Sequence, residues 1–98
     1  MAVKVFIRRK FPKDQEKALM QYIRQIREIV PSQPGYVSGE YLKAININDE
    51  ITTISSWFAL EDWHAWYDSE GRKAIQAKID TLPGVTSEYT IYRVVKTR

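Results

Sequence analysis

The sequence of 98 residues contains no cysteine and one histidine, His64. Without cysteine there is no disulfide framework and no thiolate metal site. A single histidine excludes a histidine-only metal cluster within one chain, so no metal site is expected. No apolar run approaches the ~18–20 residues needed to span a bilayer, and no membrane partner is expected. The stretch Met1-Ala2-Val3-Lys4-Val5 lacks the apolar core of a signal peptide, and a cytoplasmic location is the default expectation. There is no Gly-rich phosphate loop, nucleophile elbow or metal-ligand spacing, so no cofactor is expected either. Linkers, low-complexity stretches and solenoid-period repeats are absent as well.

What remains is the composition of an ordinary globular domain, with 44% hydrophobic and 28% charged residues. The length suits one domain over residues 1–98, burying only ~60–65% of the surface the unfolded chain exposes. Net charge is +3, mildly basic. Nucleic-acid modules are usually more basic, with the charge gathered into stripes, so no nucleic-acid partner is expected. The one dense run, Arg8-Arg9-Lys10, reads either as a solvated strand end or as an anion-attracting rim.

Val3 to Lys10 reads as a strand, with Val3, Val5 and Ile7 on one face and Lys4, Phe6 and Arg8 on the other. Pro12 marks a helix start, supported by Asp14 and Glu16 near its positive end. Leu19, Tyr22, Ile23, Ile26 and Val30 follow helical spacing, and Pro31 ends that helix. Ser32-Gln33-Pro34-Gly35 is a turn. Tyr36 to Ala44 and Ile51 to Phe58 read as strands around the polar segment Asn46 to Glu50. Leu60 to about Asp68 reads as a helix, Ser69 as a cap for a further segment, and Ala74, Ile75, Ile79 and Leu82 as its apolar face. Ser87 to Val95 is the last strand. The order βαββαβ predicts an α+β protomer of ferredoxin-like type, a four-stranded antiparallel sheet with its helices on one face.

Several strands carry apolar residues on both faces: Tyr89, Ile91 and Val95 oppose Tyr92 and Val94, and Ile54 and Phe58 oppose Trp57. A lone two-layer domain leaves one sheet face wet and polar. A second copy in a C2 pair covers such a face, and a homodimer through the sheet faces is expected.

All three tryptophans, Trp57, Trp63 and Trp66, fall within ten positions, and Tyr67 adjoins them. At 100° per helical residue, Trp63 and Tyr67 share a core-facing arc, while Trp66 and His64 lie on opposite edges, about 160° apart. Trp66 is either a pocket wall or plain packing. His64 is either a general base, with Glu61 at helical spacing to orient it, or an exposed surface residue.

The segments Gln33-Pro-Gly-Tyr-Val-Ser-Gly-Glu40, Ile54-Ser-Ser-Trp57, Leu60-Glu-Asp-Trp63-His-Ala-Trp66 and Ser69-Glu-Gly-Arg72 resemble the antibiotic biosynthesis monooxygenase (ABM) superfamily of dimeric α+β barrels. The resemblance covers nearly the whole chain. It implies a ferredoxin-like protomer, sheet-to-sheet dimerisation and a cavity between sheet and helices. Members include cofactor-independent monooxygenases of quinone-forming phenols, and others that degrade haem. The haem-degrading branch pairs a first-strand Asn and a helix Trp with a His about ten residues later. Trp66 matches the Trp, but Gln76 stands at the His position and Val3 to Lys10 contains no Asn, which disfavours haem degradation.

The resemblance thus implies oxidation of a small activated phenol or quinol by O2. Such an enzyme needs only to bind an anion, stabilise charge and exclude water. By residue type, Arg8 is the expected charge stabiliser and Trp66 the cavity wall. Tyr36, Trp57, His64, Tyr67 and Gln76 are the expected substrate contacts. The alternative is a non-catalytic ligand-binding or stress-associated dimer on the same fold. An RNA-recognition module shares the element order, but Ile51 to Phe58 lacks the Gly-aromatic pattern whose rings stack bases.

Overall fold

The computed structural model describes residues 2–95. Strict alternation makes Val3–Lys10 strand β1, with Val3, Val5, Ile7 and Arg9 buried and Lys4, Arg8 and Lys10 exposed. A short 3₁₀ turn at Lys13–Gln15 leads into α1 (Glu16–Ile29), which buries Leu19 and Ile23. Pro31 does not break the chain abruptly. Val30–Ser32 tighten into a second 3₁₀ turn, a geometry that tolerates proline near its start.

The remaining elements are β2 (Tyr36–Leu42), β3 (Glu50–Trp57), α2 (Leu60–Tyr67), α3 (Glu70–Asp80) and β4 (Thr86–Arg93). The sheet order is β2-β3-β1-β4, antiparallel throughout. This is the ferredoxin-like α+β fold expected from the element order. Several strand boundaries move. Strand β2 stops at Leu42 rather than Ala44, and β4 ends at Arg93, leaving Val94 and Val95 beyond it. Phe58 also lies outside β3. Its amide still donates to the Gly35 carbonyl at 2.7 Å, and its ring is 72% exposed.

Gly35 adopts φ +82°, and a Cβ there would collide with the Asp62 side chain. The turn after α1 therefore sits directly against the start of α2, and glycine alone permits both the backbone angle and the close approach.

Helices cover one face of the sheet. Between the layers lie two apolar clusters, one around Val5, Trp57, Trp63 and Trp66, the other around Phe11, Leu19, Ile23, Ile75 and Ile79. The other sheet face is open. Phe6 and Tyr92 meet edge to face there at 5.0 Å, flanked by Ile54, Arg8, Thr90 and Glu88. Among the described residues, no helix is long and apolar enough to cross a membrane.

Candidate functional site

The site begins at the joint between α2 and α3. Ser69 caps α3 by accepting from the Arg72 amide at 3.3 Å, and its hydroxyl donates to the Trp66 carbonyl at 2.7 Å. This closes the joint tightly and turns Arg72 back under the end of α2. Arg72 Nη1 donates to the Tyr67 carbonyl at 3.2 Å, a C-terminal helix position that favours positive charge. The guanidinium also lies 4.1 Å from the Tyr67 ring centroid and 5.6 Å from that of Tyr89, within cation–π range.

A hydrogen-bonded chain links α3 to the sheet. Arg72 Nη2 donates to Tyr89 Oη at 2.6 Å, and Tyr89 Oη donates to Gln76 Oε1 at 3.2 Å. Arg9 Nη2 donates to that same Gln76 oxygen at 2.8 Å, while Gln76 Nε2 donates to Asp80 at 2.9 Å. This chain floors an open cleft of about 390 Å³ whose walls include Tyr67, Arg72, Lys73, Gln76 and Tyr89. Behind it, a much smaller cavity of about 20 Å³ is bounded by Arg9, Tyr41, Thr53, Trp66 and Arg72. Arg72 borders both spaces.

Arg9 and Arg72 are 3% and 6% exposed, and neither forms an ion pair among the described residues. Burial pushes the Arg9 guanidinium below its ordinary value, and the charge of Arg72 adds to that effect. Tyr89 and Tyr41 oppose it. Burial likewise pushes the Tyr41 and Tyr36 phenols up.

The structure brings together some of the residues singled out in the sequence and separates others. Tyr67 and Gln76 line the cleft. Tyr67 is 40% exposed, so it forms a lip and is not core as its helical arc suggested. Trp66 is buried and borders only the inner cavity. Trp57 is fully buried beneath Tyr36, with ring centroids 5.4 Å apart, and its indole donates to Ser55. Tyr36 and Trp57 thus pack the far end of the core. His64 is exposed at a separate depression of about 240 Å³ with Trp63 and Ile91, divided from the cleft by the rings of Tyr67 and Tyr89, and makes no side-chain hydrogen bond among the described residues.

Arg8 is on the open sheet face, opposite Trp66. Its Nε and Nη2 both donate to Glu88 Oε1. Alternation along β1 dictates this: neighbouring residues point to opposite faces, so Arg9, not Arg8, reaches the helix side. Sequence reasoning missed Arg9, Arg72 and Tyr89. The signals were present, since Arg9 continues the Val3-Val5-Ile7 series and Arg72 lies in helical step with Ile75 and Ile79.

The family model for antibiotic biosynthesis monooxygenases matches residues 2–78. The chain belongs to this family. Among the solved structures similar to this ABM-family chain is a conserved protein from Methanosarcina mazei Go1 (15% identity, 95% of this chain and 92% of that one, TM-score 0.87). Another is SnoaB, a cofactor-independent oxygenase from Streptomyces nogalater (16% identity, 98% and 95%, TM-score 0.85). A third is Rv0793 from Mycobacterium tuberculosis (13% identity, 99% and 98%, TM-score 0.89). At such identities the likeness shows the ABM fold alone. Among curated proteins, none matches the chain.

Proposed function

We propose that this ABM-family protein is a cofactor-independent monooxygenase of a small activated phenol or quinol, working in the cleft between α2, α3 and β4. The observation that carries the reading is Arg72: a buried guanidinium held against the rings of Tyr67 and Tyr89 at the wall of an open cleft. Aromatic walls suit a planar substrate, and a fixed cation suits its phenolate or enolate. An electron-rich anion of this kind reduces O2 directly. For an anthrone-type methylene, CH2 plus O2 gives C=O plus water, so carbon loses the four electrons that O2 gains. One oxygen atom enters the product and the other leaves as water. In this reading Arg72 and Tyr89 stabilise the substrate anion, and Tyr67 covers the ring.

The second reading is a non-catalytic binder of the same ligand class. The position of His64 favours it, because the one imidazole lies outside the cleft and leaves no histidine base there. Oxygen uptake by chelator-treated protein against anthrones and hydroquinones separates the two. Uptake above background, lowered about 10²–10³-fold by Arg72→Gln, supports the oxygenase. No uptake with any of these substrates supports the binder.

The open sheet face supports a homodimer. Phe6, Ile54 and Tyr92 are partly exposed there, and the family resemblance implies sheet-to-sheet pairing.

A further inference from the structure

Two cations border the inner cavity without a counter-charge among the described residues. Arg9 and Arg72 are both more than nine-tenths buried, and neither is ion-paired among the described residues. Buried charges in proteins are almost always paired, because taking an ion out of water is costly. Two further polar atoms lack a partner: Arg9 Nε and Thr53 Oγ1 are buried and make no hydrogen bond. Both residues border the same inner cavity as Arg72 and Trp66. Unpartnered donors and uncompensated positive charge therefore converge on one space.

The acceptor now in place is a neutral one. Gln76 Oε1 receives Arg9 Nη2 and Tyr89 Oη together, and Tyr89 in turn receives Arg72 Nη2. An amide oxygen satisfies the geometry of these donors but not their charge, and charge-assisted bonds are roughly twice as strong. Gln76 is only half-buried, and its Nε2 is tied to the exposed Asp80, so it can leave toward solvent. Lys73 and Asp80 are the charged groups at the rim with Arg72, and Tyr41 is the phenol that borders the inner cavity.

We propose that Arg9, Thr53, Arg72 and Tyr89 form an acid-recognition subsite, and that the ligand is a small planar aromatic whose anionic oxygen displaces Gln76 Oε1. The two volumes determine the class. Gln76 and Tyr89 border the outer cleft of about 390 Å³, which admits a ring system, whereas the space bordered by Arg9, Thr53 and Arg72 is only about 20 Å³ and admits one oxygen atom and no ring. A tetrahedral oxyanion could place one oxygen inside while leaving the aromatic walls unused. The inference rests on reading the cleft as the ligand site, not on any oxygen chemistry.

The test uses 2-naphthoate and its neutral counterpart 2-naphthamide, titrated by tryptophan fluorescence and by calorimetry. Wild type is expected to bind naphthoate at least about tenfold more tightly, the equivalent of one charge-assisted hydrogen bond. Arg9→Met removes the preference and keeps naphthamide binding. Gln76→Glu, which supplies a carboxylate between Arg9 and Tyr89, also removes it. Circular dichroism and urea midpoints confirm that both variants are folded. Equal binding of the two probes by wild type overturns the subsite and leaves the cleft standing. Binding of neither overturns the cleft and the subsite together. A preference that survives both substitutions overturns the assignment to this cavity. Displacement of naphthoate by an equal concentration of inorganic phosphate overturns the aromatic class.

Discussion

Arg9 on β1 and Arg72 on α3 face one small cavity from opposite layers of the fold, and the uncharged amide oxygen of Gln76 accepts from Arg9 directly and is linked to Arg72 only through Tyr89 Oη. This arrangement has a thermodynamic sign. Folding lowers the pKa of Arg9, so the folded state holds that proton less firmly than the unfolded chain does. Below the lowered value the full cost of the buried charge is present, and it shrinks as pH rises from that value toward the ordinary one.

Replacing the charge by an apolar side chain of similar volume therefore relieves a burden. Arg9→Met is expected to leave the urea midpoint unchanged or to raise stability by about 1–2 kcal/mol, within the range seen for buried charges replaced by hydrophobes. A loss of similar size would mean that Gln76 and Tyr89 already compensate the charge.

The open sheet face should hold two copies together. Phe6→Lys puts a charge beside the Phe6–Tyr92 contact without entering the core. A stable interface buries at least ~1,200 Å² in total, and a central charge opposes that. Light scattering is expected to give twice the monomer mass for wild type and the monomer mass for the variant. A monomeric wild type at micromolar concentration would remove the basis for the dimer.

Glu88 provides an acid-side signature on the same face. The hydrogen bond from Arg8, aided by its charge, holds the Glu88 carboxyl below its ordinary value of 4.5. Its contribution is present above that value and is lost as pH falls through the lowered one. Both side chains are solvent-exposed in the single chain, so in the monomer the effect is small and screened by salt. Glu88→Gln is expected to flatten the fall of the urea midpoint between about pH 5 and pH 3. The flattening should shrink in about 0.5 M salt.

Trp66 should be structural in its energetics even though it borders the inner cavity. It is 5% exposed in the Val5–Trp57–Trp63 cluster, so Trp66→Ala is expected to cost about 3–5 kcal/mol, measured by urea unfolding. Trp66→Phe should cost less, because most of the ring volume remains.

Periodicity in the sequence decided most of the architecture. Alternation along Val3–Lys10 and the helical steps through Leu19, Ile23, Ile75 and Ile79 specify which side of each element is apolar, and the element order then leaves few ways to layer them. Those patterns also carry Arg9 and Arg72 to the inside, though a run of three basic residues is easily read as a wet strand end. The tertiary structure alone decided that these two arginines share one cavity and are joined through Gln76 and Tyr89. Local periodicity gives the direction of a side chain but not the residue it meets. That depends on the pairing of Ile7 with Tyr89 across β1 and β4 and on where α3 docks over them, both set by packing between distant parts of the chain.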